Sequence, residues 1–128
     1  MRKERTEIRA VSVDDAERLL EIYGYYVEHT AITFEYAVPA IEEFRQRISR
    51  TLERYPYLCV FQDGSIQGYA YAGPFHARAA YQWAAEMTIY LDRNAAGRGY
   101  GRLLYDEMER ILRKMGILNL YACIGYPA

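Results

Sequence analysis

Apolar positions recur along this chain at two intervals, and each change of interval marks an element. Between residues 5 and 11 apolar and polar side chains alternate, which predicts a strand with one buried face. From Ala16 the interval lengthens: Ala16, Leu19, Leu20, Tyr23 and Val27 fall on one stripe of a helix, and Ser12 followed by Asp15 is close to the capping box that starts one. Pro39 announces a second helix, in which Ile41, Phe44, Ile48 and Leu52 repeat the pattern until Tyr55-Pro56 stops it. Residues 57–62 and 66–73 read as two strands around QDGS at 62–65, where Asp63-Gly64 is a hairpin signal. PFHARAAY at 74–81 reads as a loop, and WAAEMTIYL at 83–91, long and mostly apolar, as a central strand. A glycine-rich stretch follows. A third helix then turns Leu104, Met108, Ile111, Leu112 and Met115 to the core and ends at Gly116 as a left-handed cap, before a last strand at 118–124. The predicted order β-α-α-β-β-β-α-β is an α+β domain with a mixed sheet, one domain over residues 1–128.

Composition narrows the function classes. A formal net charge of −1 argues against nucleic acid as a partner, because such proteins show a strongly basic face. No basic start leads into a long apolar run, so neither a signal peptide nor a membrane span is expected and the chain reads as cytoplasmic. Cys59 and Cys123 sit in apolar runs with no second Cys or His at ligand spacing, which makes them small core residues and predicts no metal. Tyrosine is the oddity, with 14 copies; their first reading is amphipathic packing with hydroxyls at the surface.

The glycine stretch RNAAGRGYGR, residues 93–102, carries the chemistry. A strand that runs into a glycine-rich loop, which then opens a helix, leaves several backbone N–H groups aimed at one spot without intrahelical partners. The helix dipole, the missing side chains at Gly97, Gly99 and Gly101, and the charges of Arg98 and Arg102 all suit a pyrophosphate, with Arg93 either a helper or a solvated loop charge. The spacing is neither the nucleoside-triphosphate loop nor the dinucleotide fingerprint. Taken alone it is equally a turn with a glycine cap; the preceding apolar strand with one glutamate and the amphipathic helix after it favour the anion site.

In that context, AAEMTIYLDRNAAGRGYGRLLY at 84–105 resembles the acetyl-coenzyme A signature of the GNAT N-acetyltransferases. TFEY at 33–36, GYAYAGP at 68–74, RAAY at 78–81 and the segment from Trp83 to Glu86 are similar to its phosphinothricin and methionine-sulfone acetyltransferase branch. The resemblance implies acetyl-CoA as co-substrate, with Gly97, Arg98, Gly99, Tyr100, Gly101 and Arg102 on the diphosphate and the backbone of Ile89, Tyr90 and Leu91 along the pantetheine arm. It implies a splay of the central strand from its neighbour, which supplies a backbone N–H to the oxyanion. It also implies a small-molecule amine as partner, substrate contacts at Ala77, Arg78 and Ala79, and a homodimer. Two departures stand out: Ala96 occupies a place where the family signature commonly has Gln or Arg, and the family continues past YPA at 126–128 into a further helix and strands, so the chain reads as C-terminally incomplete.

Acetyl transfer to an amine needs a base, since the protonated amine is no nucleophile. Glu86, the lone acid of the central strand, is the candidate: partial burial would raise its pKa, and the resemblance puts the family's base there. Its other reading is a strand residue facing outward or pairing with an arginine. The thiol leaves readily as a thiolate, so no general acid is assigned; Tyr126 qualifies by composition only. Arg78 is suited to gripping a substrate carboxylate, or else is a solvated surface charge, and Phe34 and Tyr81 are placed to wall the pocket. Glu35, His29 and His76 are given no role, Glu35 being read as a solvated loop acid. The expected function is acetylation of a small amine such as methionine sulfone, methionine sulfoximine or phosphinothricin. The alternatives are a non-catalytic acyl-CoA-binding module and a phosphate-binding regulatory domain.

Overall fold

The computed structural model describes residues 6–30, 33, 35–62, 64–74, 84–95, 97–117 and 119–125, with backbone alone for Ala84 and for 119–125. The elements are β1 (Thr6–Ala10), α1 (Ala16–His29) preceded by a 3-10 turn (Val13–Asp15), α2 (Ile41–Leu52), β2 (Tyr57–Gln62), β3 (Ser65–Pro74), β4 (Ala84–Leu91), α3 (Tyr100–Lys114) and β5 (Asn119–Gly125). β1 to β4 are antiparallel neighbours in chain order. β5 then joins β4 in parallel, with α3 as the crossover that a parallel pair requires. The sheet is therefore mixed, as the element order predicts.

The first helix opens where the sequence expects it, with Ser12 as N-cap and Asp15 three residues on. Its opening turn is 3-10: the Asp15 N–H bonds back to Ser12 O at 3.0 Å, while the Ser12 N–H donates to Asp15 Oδ2 at 2.9 Å. Arg9 of β1 donates to both Asp15 oxygens, at 2.9 and 2.8 Å, and holds that carboxylate against the strand. The hairpin between β2 and β3 is tighter than expected, because Ser65 and Pro74 belong to β3; Gly64 takes φ +80°, which a tight turn demands. A register shift at Val60/Phe61 bends the pair locally.

Alternation along the strands sorts the side chains into two unlike layers. Tyr57, Cys59, Tyr69 and Tyr90 face α1 and α2, where Leu19, Tyr23, Tyr26, Phe44 and Ile48 complete the packing. Leu58, Val60, Ala70, Ala72, Met87, Ile89 and Leu91 face the other way, onto Leu104, Met108 and Leu112 of α3. The layer under α3 is thus aliphatic, and the layer under α1 and α2 is built of tyrosines. Cys59 lies fully buried in the tyrosine layer, where burial pushes its thiol up to about 11 and keeps it protonated.

α3 ends as the sequence predicts. Gly116 takes φ +91°, its N–H bonds to Arg113 O, and the Ile117 N–H reaches Leu112 O, the paired bonds of a Schellman cap. Two stripe residues do not go to the core: Met115, the C-cap, is 48% exposed, and Leu52, the last residue of α2, is 38% exposed. A stripe drawn by periodicity overruns where the chain leaves the helix axis.

Candidate active site

The loop between β4 and α3 is pinned by an acid that the sequence reading did not single out. Asp92, the residue after β4, accepts the Asn94 N–H on Oδ1 at 2.8 Å, and its carbonyl accepts the Ala95 N–H at 2.9 Å. Arg18 of α1 donates to Asp92 Oδ2 at 2.8 Å and to Ile66 O at 3.0 and 2.7 Å, which ties helix, hairpin and loop together. An Asp just after a strand is suited to an Asx turn, its side chain accepting the backbone N–H two residues on. Arg93 is not aimed at the glycines; it lies over the ring of Tyr25, 5.3 Å from the centroid.

Beyond that anchor, Gly97 and Gly99 take φ +78° and +80°, and a Cβ at either would meet nothing within 4 Å. Gly99 is the N-cap of α3. The Leu103 N–H makes the bond to Gly99 O at 3.1 Å, so the amides of Tyr100, Gly101 and Arg102 have no acceptor within the helix. Among the described residues no side chain caps them, and no acid stands in the first turn to neutralise the dipole. Arg98 and Arg102 are exposed beside these amides, Arg102 also reaching Asp106 at 3.3 Å. Tyr100 points inward, with its phenol O–H donated to Gln62, so this side chain anchors the helix start and only its amide faces the loop. The cradle is open, electropositive and backbone-lined, the properties a diphosphate requires.

On β4 the side chains of Ile89 and Leu91 go into the α3 layer and Tyr90 into the tyrosine layer. The β4–β5 register runs without a break through Tyr90↔Gly125, so the gap implied between these strands does not open before Tyr90. Leu91 follows, its carbonyl taken by the Tyr26 O–H at 2.5 Å. Glu86 stands opposite Gly73, Thr88 opposite Tyr71 and Tyr90 opposite Tyr69, which places Glu86 on the tyrosine face, half-buried.

That face carries a cavity of about 270 Å³, lined by Tyr57, Tyr69 and Tyr71 of the sheet, Tyr23 of α1, and Arg47 and Arg50 of α2. The tyrosine rings pack on one another: Tyr57 stacks on Tyr69 with centroids 6.0 Å apart and lies tilted against Tyr71 at 5.0 Å. Beside it Glu35 accepts two bonds from Arg47, at 2.7 and 2.9 Å, and one from the Tyr23 O–H. Glu35 is therefore no solvated loop acid: it fixes the connection from α1 to α2 against the cavity wall. Sequence spacing gives no sign of this, since the partner lies on another element, 12 residues away. Phe34, Ala77, Arg78, Ala79 and Tyr81 lie outside the described residues, as do Trp83, Ala96, Tyr126 and His76.

Three carboxylates in these struts are held below their ordinary pKa. The Arg47 guanidinium lowers Glu35 and the Arg9 guanidinium lowers Asp15, against burial in both cases; at Asp92 burial pushes up but is outweighed by the Asn94 N–H and Arg18. A folded-state pKa below the unfolded one stabilises above the unfolded value and is lost as pH falls through the folded value. The thermal midpoint is therefore expected to hold from neutral pH down to the ordinary values of 4.5 for Glu35 and 3.8 for Asp15 and Asp92, and to fall below them. Melting curves from pH 7 to 3 check this, and a midpoint flat to pH 3 would show that the struts carry no stability.

Comparison with known proteins assigns the fold. The family model described as an acetyltransferase (GNAT) domain matches residues 8–128. The chain belongs to the GNAT family. The phosphinothricin N-acetyltransferase of Streptomyces viridochromogenes is 31% identical over 121 residues, which are 94% of this chain and 66% of that one. The phosphinothricin N-acetyltransferase of Streptomyces coelicolor is 34% identical, covering 94% of this chain and 73% of its own length. The crystal structure of a GNAT-superfamily phosphinothricin acetyltransferase from Sinorhizobium meliloti, in complex with AcCoA, superposes with a TM-score of 0.86 at 32% identity, over 94% of this chain and 66% of that one. This GNAT chain thus spans about two thirds of the length of the relatives it matches. Among the described residues no helix of the GNAT domain is long and apolar enough to cross a membrane.

Proposed function

We propose that this GNAT domain transfers the acetyl group of acetyl-CoA to the primary amine of a small, amino-acid-like molecule. The observation that carries the reading is the arrangement along β4. The strand presents Glu86 on the face of the tyrosine-lined cavity and leads, through the Asp92 anchor, to the uncapped amides at the start of α3. A diphosphate held on those amides aims the attached thioester back along the strand. Glu86 takes a proton from the ammonium, directly or through one water, and the freed nitrogen attacks the thioester carbon. The tetrahedral adduct then collapses: the C–S bond breaks, the thiolate leaves, and the nitrogen passes its extra proton to that thiolate, directly or through water, to give amide and thiol; little help is needed since an ordinary thiol ionises near about 8.5. Arg78 is assigned the substrate carboxylate, with Ala77 and Ala79 beside it and Phe34 and Tyr81 as walls. Methionine sulfone, methionine sulfoximine and phosphinothricin are the first substrates to assay. A homodimer belongs to the same proposal, and light scattering of the purified chain reads it.

Binding alone is tested first. Coenzyme A at 100 times its Kd is expected to stabilise the chain by about 2.7 kcal/mol, read as a rise in melting temperature that Gly99→Val diminishes. Val at a φ of +80° is strained and stands where the diphosphate approaches. A melting temperature indifferent to coenzyme A rejects the anion cradle and with it the proposed function.

A further inference from the structure

Two side chains of α1 hold successive residues at the point where β4 gives way to the glycine loop. Tyr26 donates its O–H to the Leu91 carbonyl, and Arg18 donates to Asp92 Oδ2 while its Nε and Nη2 both rest on Ile66 O. Asp92 in turn organises the loop. Its carboxylate and carbonyl take the Asn94 and Ala95 N–H groups, and its own N–H goes to Gln67 O at 2.8 Å. Ala95, 1% exposed, is then fixed in the layer under α3. The far side of the cradle is held from a different element, by Tyr100 on Gln62 of β2. The glycines are slung between these two fixed points, one of them set from α1.

The grip on Asp92 also settles a charge. Asp92 is the only acid between Leu91 and Asp106, in a stretch that otherwise carries Arg93, Arg98 and Arg102. A carboxylate on the loop that receives a diphosphate opposes binding, and its side chain, 17% exposed, is poorly screened by solvent. Arg18 cancels that charge from outside the loop, 74 residues away in sequence. Its Nη1 also meets Glu21 at 3.1 Å, but Glu21 is exposed and its charge is screened by water. Building on the proposed binding of coenzyme A, we propose that Arg18 is a positioning residue for the acyl donor: through Asp92 it holds the loop on which the diphosphate rests and neutralises the one acid of that loop. Arg18 itself touches no part of the donor.

Calorimetry with coenzyme A makes the test. Arg18→Gln is expected to raise Kd about tenfold, the size of one uncompensated charge near an anionic ligand. In acetyl transfer the same variant should raise KM for acetyl-CoA by a similar factor and leave kcat within about threefold. Asp92→Asn removes the charge and keeps an acceptor for the Asn94 N–H; added to Arg18→Gln, it should recover most of the lost affinity. Arg9→Gln is the control, since Arg9 pairs with Asp15 at comparable exposure on β1, three strands from β4. It should lower the melting temperature without changing Kd. An Arg18→Gln variant within about twofold of wild type in Kd overturns the proposal, as does a double variant that binds no more tightly than Arg18→Gln, or a control that loses as much affinity. Failure of the anion cradle looks different: wild type itself then binds no coenzyme A, whereas wild-type binding that ignores Arg18 leaves the cradle standing and removes only this role.

Discussion

Glu86→Gln is expected to lower kcat for acetyl transfer by about 10²- to 10⁴-fold, the usual worth of a positioned general base. The substitution keeps the shape and one acceptor oxygen of the side chain, and it falls in the middle of β4, opposite Gly73 on one side and Tyr121 on the other. Register and packing therefore survive, and protection by coenzyme A should equal that of wild type. What is lost is the ability to accept the proton that the ammonium must shed. The defect should accordingly narrow as pH rises past the amine's own pKa, where free amine no longer depends on the protein for deprotonation. A glutamate serving only as a structural strut predicts a loss that does not vary with pH and a lower melting temperature. Thiol release measured from pH 6 to 10 decides between the two, and a variant within threefold of wild type at pH 7 would remove Glu86 from the reaction.

The sequence made the scaffold readable because its elements are set by local rules. Alternation marked β1, a long apolar run marked β4, and Gly64 and Gly116 fell where the chain turns. The start of α3 was readable for the same reason: the glycines and the helix start are neighbours in sequence. The cavity was not. Its walls come from α1, α2, β2 and β3, and what makes it a site is the side of the sheet on which the tyrosines fall. Composition counted 14 tyrosines, and pairing in the sheet is needed to see that Tyr57, Tyr69, Tyr71 and Tyr90 share one face while the aliphatics share the other. Glu35 was passed over for the same cause, its partners Arg47 and Tyr23 being fixed only once α1 and α2 pack together.

Leu104→Ala is expected to cost about 2–5 kcal/mol, the range for truncating a leucine in a packed core. Met115→Ala, one residue type away in hydrophobicity and on the same predicted stripe, should fall within about 0.5 kcal/mol of wild type. Leu104 is fully buried among Met108, Leu112 and the aliphatic face of the sheet, whereas Met115 is 48% exposed at the C-cap. The contrast reaches the cradle. Leu104 sits one turn into α3, directly behind the amides of Tyr100, Gly101 and Arg102, and the burial of Tyr100 and Leu104 sets where those amides point. A cavity at Leu104 should therefore lower the melting temperature by on the order of 10 °C and also weaken coenzyme A binding, because part of the binding energy then goes into re-seating the helix start. Thermal melts with and without coenzyme A on both variants check this. Equal melting temperatures would contradict the packing of α3, and a destabilised Leu104→Ala that binds coenzyme A as wild type does would separate the core from the cradle.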